Sequence, residues 1–439
     1  MFNLLDQPEI KQCINSILES KMPSDEKIKK ISMIMDMDKE FGAKLQEHQN
    51  EIISGSPDQR TILISTIAME LGIWDPERII EKVENSIRRA VNRLLKSQNP
   101  DGGWGVEWQI SKYWETAWAI LSINAADEII PLDKNLISGS IKNGVKYFRK
   151  NDSGWSTKGR SPDQEFSNYD LPLVLRTLFT FKNDYSRDLV DEIEQTLKVI
   201  ISRQNVDGGW NQNINATYRS PSIAHDVNNG YSDVSPTSQI LQTICCINPK
   251  TYRLSADRAL NWIVENQNTD GSWDLGSKHP GKEGIYCTID GILQKGRPII
   301  SKTCDGLQGI FAWNTVEDKN TEHTIIIPSS EELGTRIEKA VRWIQMKEEP
   351  IFNPEQEVCS WSGFDYTNTC IALEALVNHP DATLPLRTSN ALWLIDNQIC
   401  RQNGDDDDGK WPFEQTPRIS YSLIKFLKTI KNSPFFKAA

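Results

Sequence analysis

The sequence predicts an all-α chain: six helical hairpins closed into an (α/α)6 barrel, with an N-terminal helical extension. Three observations point there. The string QNPDGGW at 98–104 returns as QNVDGGW at 204–210 and QNTDGSW at 267–273. Each copy follows a stretch with apolar residues at three- and four-residue intervals, AVNRLLKSQN, TLKVIISRQN and ALNWIVENQN, which is helix periodicity. Each copy is also followed by a second helical stretch. Stacked repeats share one continuous core, so one repeated unit overrides the two or three domains that 439 residues would otherwise suggest.

In chain order, residues 1–80 read as a helical extension packed on the barrel, with SGSPDQR at 54–60 as a turn, and residues 81–439 as the barrel itself. Every first helix ends at the Gln-Asn of its string. Asn and Asp-Gly then reverse the chain, because glycine tolerates positive φ and closes a helix at little cost. The second helices read YWETAWAILSI, NYDLPLVLRTLFTF, YSDVSPTSQILQTI, TCDGLQGIFAW, FDYTNTCIALEALV and ISYSLIKFLKTI. Weaker copies complete the six: KNDSGW at 150–155, a decayed CSW at 359–361, and QNGD from Gln402 running on to Trp411. The tryptophans at 104, 155, 210, 273, 361 and 411 thus mark six loops. The Gln is expected to bond exposed helix-end groups and the Trp to stack on the neighbouring hairpin. These strings report a fold, and the function must come from other residues.

Composition narrows the function classes. With 38% hydrophobic and 25% charged residues the chain can build a large core. A formal charge of −11, and no basic run interleaved with aromatics, argue against nucleic acid as a partner. The N-terminus lacks the basic flank and unbroken apolar stretch of a signal peptide, so the protein is expected in the cytoplasm. Peripheral membrane contact stays open for an enzyme with an apolar substrate. The eight cysteines (13, 245, 246, 287, 304, 359, 370, 400) have no CxxC spacing and read as reduced core thiols. The five histidines (48, 225, 279, 323, 379) are too dispersed for a zinc site, and no metal ligand is assigned.

The repeat strings resemble the "QW" repeats of the squalene-hopene cyclase and class II terpene cyclase superfamily, over about residues 85–430. SKYWETAW at 111–118 is similar, with one inserted residue, to the SxYDTAW string of class II diterpene cyclases. This chain reads as a single-barrel relative. The resemblance implies that a carboxylic acid protonates an alkene or epoxide and launches a carbocation cascade along a linear polyprenyl substrate. In the family that acid is the middle Asp of a D-x-D-D-T-A string. Here the nearest match, DYTNTC at 365–370, keeps the first Asp and the Thr but carries Thr367 and Asn368 where the other two would stand. Asp365 therefore leads the candidates for the donor, followed by Asp170 in NYDLP, Asp233 in DVSPTS, and Glu115 just before Thr116-Ala117. The three aspartates also stand where Asp caps a helix N-terminus.

Alkene protonation needs an acid that stays protonated near neutral pH, which burial in an apolar cavity supplies. The cation then needs aromatic faces and little water. Tyr113, Trp114, Trp118, Tyr169, Trp313, Trp361, Phe364 and Tyr366, together with Asn368, fall at or near the second helices and are expected to line such a cavity. The run Asp405 to Asp408 extends a repeat loop and reads as a solvated turn rather than a magnesium site. No cofactor is expected, and magnesium would enter only with a diphosphate-bearing substrate. Two other readings keep the barrel. One is a non-catalytic isoprenoid-binding barrel, motivated by the incomplete acid motif. The other is a protein-prenyltransferase-like enzyme, for which Cys304 and Asp305 lack a matching histidine.

Overall fold

The computed structural model describes residues 76–105, 112–150, 170–183, 187–211, 232–278, 284–289, 292–316, 327–346, 363–377, 410–411 and 416–432, with 387–388, 391–392, 394–395 and 398. The extension expected over 1–80 lies outside them except for its last residues. By its contacts the chain divides into two compact units. One joins 1–84, 379–385 and 427–439; the other joins 85–378 and 386–426 and carries the repeats.

In the repeat-bearing unit, first and second helices alternate. Helix α1 is Pro76–Lys96 and α2 Lys112–Asp127; α3 is Lys134–Lys150 and α4 Asp170–Thr180. Helix α5 is Arg187–Ser202 and α6 Val234–Ile247; α7 is Arg253–Glu265 and α8 Ile300–Asn314. Helix α9 is Ser330–Met346 and α10 Gly363–Val377; helical residues at 387–388, 391–392 and 394–395 then precede α11, Thr416–Asn432. Between α7 and α8 the all-α expectation needs an addition, a three-stranded antiparallel sheet. Strands β1 (Ser277–Lys278), β2 (Ile285–Ile289) and β3 (Ile292–Lys295) pair in that order, with Ile289 opposite Ile292 across a two-residue turn. The sequence at that turn is Asp-Gly at 290–291, the dipeptide a tight hairpin prefers.

The repeat strings build one joint three times. The Gln side-chain amide donates to the carbonyl of its own loop glycine and to a carbonyl of the next first helix: Gln98 to Gly102 and Ser140, Gln204 to Gly208 and Ser255, Gln267 to Gly271 and Arg336, all at 2.8–3.0 Å. Gln therefore staples hairpins together. The helix-end carbonyl is satisfied instead by the indole, through Trp104 Nε1 to Leu94 O, Trp210 Nε1 to Ile200 O and Trp273 Nε1 to Ile263 O. Gly208 sits at φ +98°, and a Cβ built there would lie 2.6 Å from the Arg258 carbonyl, so the joint admits no side chain.

The sixth copy corrects the alignment on Gln402. Gln398 exchanges hydrogen bonds with Ser86 (Ser86 Oγ to Oε1, 2.8 Å; Nε2 to Ser86 O, 3.1 Å), the pattern Gln98 makes with Ser140. Trp411 Nε1 donates to Leu394 O, four residues before Gln398, as Trp104 does to Leu94, four before Gln98. Gln398 is thus the repeat glutamine, and the acidic run at 405–408 lies outside the described residues. The same pair joins the sixth hairpin back to the first.

The second helices also touch in a closed circuit: α2 with α4, α4 with α6, α6 with α8, and α8 with α10. Lys425 of α11 then bonds Glu374 of α10 at 3.4 Å, and Ser122 of α2 donates to the Pro417 carbonyl of α11.

Candidate active site

Four of the second helices are pinned at one register. The backbone N–H of each string tryptophan donates to a threonine hydroxyl in the following helix: Trp104 to Thr116, Trp210 to Thr237, Trp273 to Thr303 and Trp411 to Thr416, at 2.9–3.2 Å. Two residues beyond the pins stand Trp118, Gln239, Asp305 and Arg418. Five beyond stand Leu121, Gln242, Gln308 and Tyr421, and by the same count from Thr369 the helix α10 contributes Glu374.

These side chains meet one another. Arg176 of α4 donates to Gln242 (2.6 Å) and to Gln239 of α6. The Arg418 guanidinium lies over the rings of Trp114 and Trp118, at 5.6 and 5.2 Å from their centroids, and 3.8 Å from the Glu374 carboxylate. Trp118 packs on Tyr421 with centroids 5.1 Å apart. Arg176 feels the charges of Glu374 and Arg418, which reach it from α10 and α11. Side chains of all six second helices therefore converge on one interior. Among the described residues this interior is more polar than the aromatic-walled chamber the sequence predicts.

Two described carboxyls are buried in this interior, Glu374, which pairs with Lys425 and Arg418, and Asp305. One oxygen of Asp305 accepts the Ser235 hydroxyl, and the other has no hydrogen-bond partner. Burial raises its pKa above the ordinary 3.8 against the opposing pull of Ser235, Arg418 and Lys302. The neighbouring Cys304 thiol is pushed well up by the same burial. Among the described residues no three His, Cys, Asp or Glu side chains converge as a metal site.

The residues singled out from sequence are placed as follows. Asp233 caps α6, accepting the Ser235 N–H at 2.8 Å, and pairs with Lys302 at 2.6 Å. Its carboxylate makes the bonds of a cap and an ion pair. Asp170 is in the first turn of α4, half-buried. Glu115 lines a cavity of about 210 Å³ with Arg93, Trp104, Lys410, Thr416 and Pro417. Asp365, Phe364 and Tyr366 fall in the first turn of α10, but their side chains, like Tyr169 and Trp361, lie outside the described residues. Asn368 is half-buried beside Thr369.

Of the described aromatics, Trp114 and Trp118 stand with the inner cluster. Tyr113 turns to Tyr147 and Phe148 of α3, and Trp313 donates to Asp257 of α7 under the Arg253 guanidinium. Sequence reasoning did not single out Arg176, Glu374, Arg418 and Lys425, which the structure brings to this interior. A signal existed, since Arg176 in PLVLRTLFT and Glu374 in IALEALV are lone charges in apolar helical text.

A ring of helical hairpins with titratable groups on its inner face defines the class. Residues 167–283 match the family model of the squalene-hopene cyclase C-terminal domain. Over that segment, from the lead-in to α4 past β1, the chain is squalene-hopene cyclase-like, as the repeat strings implied. No curated protein matches the sequence. Among solved structures, a variant of the type II terpene cyclase MstE from Scytonema, in complex with geranylgeranyl dihydroxybenzoate, is similar at 14% identity and a TM-score of 0.50. The match covers 80% of this chain and 99% of that one. The GH76 alpha-mannanase of Bacteroides thetaiotaomicron is similar at 12% identity and the same TM-score, covering 83% and 99%. At such identities the likeness shows the fold alone, and two unlike chemistries share it.

Proposed function

We propose that the protein is a class II terpene or meroterpenoid cyclase, which protonates a linear polyprenyl chain and closes it into rings through a carbocation cascade. The observation that carries this reading is Asp305, an enclosed carboxyl on a second helix with one oxygen free toward its surroundings. Burial raises the pKa of this carboxyl, the direction a proton donor needs. The Asp305 proton then passes to one alkene carbon, the π electrons form the new C–H bond, and the other carbon becomes the cation. The carboxylate left behind is held by the Ser235 hydroxyl and by the positive charges of Arg418 and Lys302. Trp114, Trp118 and Tyr421 are described aromatics of this interior, and the faces not covered by Arg418 and Lys425 are the ones such a cation would use. Loss of a proton from the final cation ends the cascade.

The test is incubation of the purified protein with geranylgeranyl diphosphate, squalene and prenylated phenols, with cyclic products read by mass spectrometry. Asp305→Asn should abolish them. Unchanged turnover by that variant would return the donor's role to Asp365, Asp170, Asp233 or Glu115. Binding of these compounds with no product from any of them would leave a non-catalytic isoprenoid-binding barrel.

A further inference from the structure

Asp305 belongs to a cross-link between α6 and α8. Ser235 donates its hydroxyl to Asp305 and its backbone N–H to Asp233, the latter at 2.8 Å. Asp233 in turn accepts Lys302 Nζ at 2.6 Å, and Lys302 stands three residues before Asp305 on α8. Four buried residues thus close a loop: Lys302 to Asp233, Asp233 to Ser235, Ser235 to Asp305, and along one turn of α8 back to Lys302.

The repeat joint does not require these residues. In the four helices pinned by a string tryptophan, the position before the threonine holds Glu115, Pro236, Lys302 and Gln415, and the position two beyond it holds Trp118, Gln239, Asp305 and Arg418. Four before it stand Lys112, Asp233, Ile299 and Pro412. Among these four, α8 alone carries the lysine and the carboxyl, and α6 alone the aspartate that meets the lysine. Stability does not explain the pair either. Lys302 sits in the first turn of α8, where the helix dipole opposes a cation, and is 8% exposed. A buried ion pair is often replaceable by apolar side chains at little or no cost. What this one supplies is two opposite charges beside one carboxyl, Asp233 favouring its protonated form and Lys302 its ionised form.

We propose that Lys302 and Asp233 are positioning residues for Asp305: their ion pair fixes Ser235 against the acid, and the balance of their charges governs its hold on the proton. The proposal rests on the cyclase reading only in calling Asp305 the donor; control of its proton stands apart from turnover. The other groups facing Asp305 are Cys304 on its own helix and Arg418 of α11, with Glu374 and Cys370 of α10 beside Cys304. All four are unchanged in the variants that follow. Asp233→Asn keeps the shape and the cap on the Ser235 N–H, and leaves the Lys302 ammonium to pair with an ionised Asp305. Asp305 should then ionise at lower pH. Lys302→Met leaves Asp233 beside Asp305 without its cation, and two carboxyls so placed resist a second ionisation. Asp305 should then hold its proton to higher pH. The double variant removes both charges and should return toward wild type.

The experiment follows the infrared band of the protonated Asp305 carboxyl against pH, identified as the band missing from Asp305→Asn. On the same proteins kcat is measured against pH with whichever of geranylgeranyl diphosphate, squalene and a prenylated phenol is cyclised. The midpoint should fall by about one pH unit in Asp233→Asn and rise by about as much in Lys302→Met, and the upper limb of the kcat profile should move with it. Circular dichroism reports that each variant folds, and each single variant has its own sign to deliver if the other does not fold. Midpoints that stay at the wild-type value, or that move in one direction in both variants, would overturn the proposal and leave the pair a tie between helices. Opposite shifts in a protein that cyclises none of the compounds would sink the cyclase reading and leave the control of the proton standing. Cyclisation with unmoved midpoints would do the reverse.

Discussion

Replacing Asp305 with asparagine should separate stability from activity, and the pH dependence gives the sign. The carboxyl is buried and its pKa is raised above the ordinary 3.8. Below that value the folded and unfolded chains both hold the proton, and the stability Asp305 contributes is fully present. As pH rises through it, the unfolded chain ionises while the folded one keeps its proton. The wild type then loses about 1.4 kcal/mol per pH unit until the folded value is passed. Asparagine has no proton to lose, and its amide oxygen can still accept the Ser235 hydroxyl. The variant's stability relative to wild type should therefore climb between about pH 4 and the raised folded value, then level off. In melting temperature, each kcal/mol is worth about 2–4 °C in a domain of 150–250 residues, and somewhat less in a larger one. Differential scanning calorimetry at half-unit steps from pH 4 to 8, run on both proteins, measures the gap. A gap that does not change with pH, or one that moves in favour of the wild type, refutes the burial argument and with it the choice of Asp305 as the acid.

Other variants test the joints. Gln267→Ala removes two hydrogen bonds, to Gly271 O and Arg336 O, and should cost about 2 kcal/mol in urea unfolding, while Gln402→Ala should cost nothing measurable. Gly208→Ala places a methyl 2.6 Å from the Arg258 carbonyl at φ +98°, and should lower the urea midpoint by the equivalent of about 2 kcal/mol or more.

The hairpins and their loops were legible because their chemistry is local. Glycine at the positive-φ position, Asp-Gly reversals and apolar helix spacing all act within a few residues. What lay beyond sequence was set by partners far along the chain. Gln398 stands thirteen positions before Trp411, where the clear copies place Gln six before Trp, so only its bonds to Ser86, 312 residues away, reveal it. The β-hairpin has a local signal in Asp290-Gly291, which the helix-spaced repeats on either side outweigh. Asp233 carried both of its readings in the sequence, and only the distance to Lys302 shows the ion pair it makes. What encloses Asp305 comes from far along the chain, its hydroxyl partner Ser235 lying 70 residues away.

The same joint that seals the ring also aims its chemistry. Thr303 accepts the Trp273 N–H at 3.2 Å and donates to Ile299 O at 2.9 Å, two residues before Asp305. Thr237 accepts the Trp210 N–H at 2.9 Å and donates back to Trp210 O at 3.4 Å, two residues after Ser235, the partner of Asp305. Two string tryptophans thus fix two helices in register, and the register sets the Ser235–Asp305 contact. Thr303→Val keeps the shape and deletes the hydroxyl, leaving the buried Trp273 N–H unpaired at a cost of about 1–3 kcal/mol. With α8 free to shift, the acid should lose its alignment. Turnover should fall by roughly tenfold or more through kcat, with KM little changed, because misplacement by even an ångström acts on the reacting geometry rather than on binding. Thr303→Ser restores the hydroxyl and should recover most of the rate. A Thr303→Val enzyme that is destabilised yet turns over at the wild-type kcat would show that the joint supports the fold without positioning the acid.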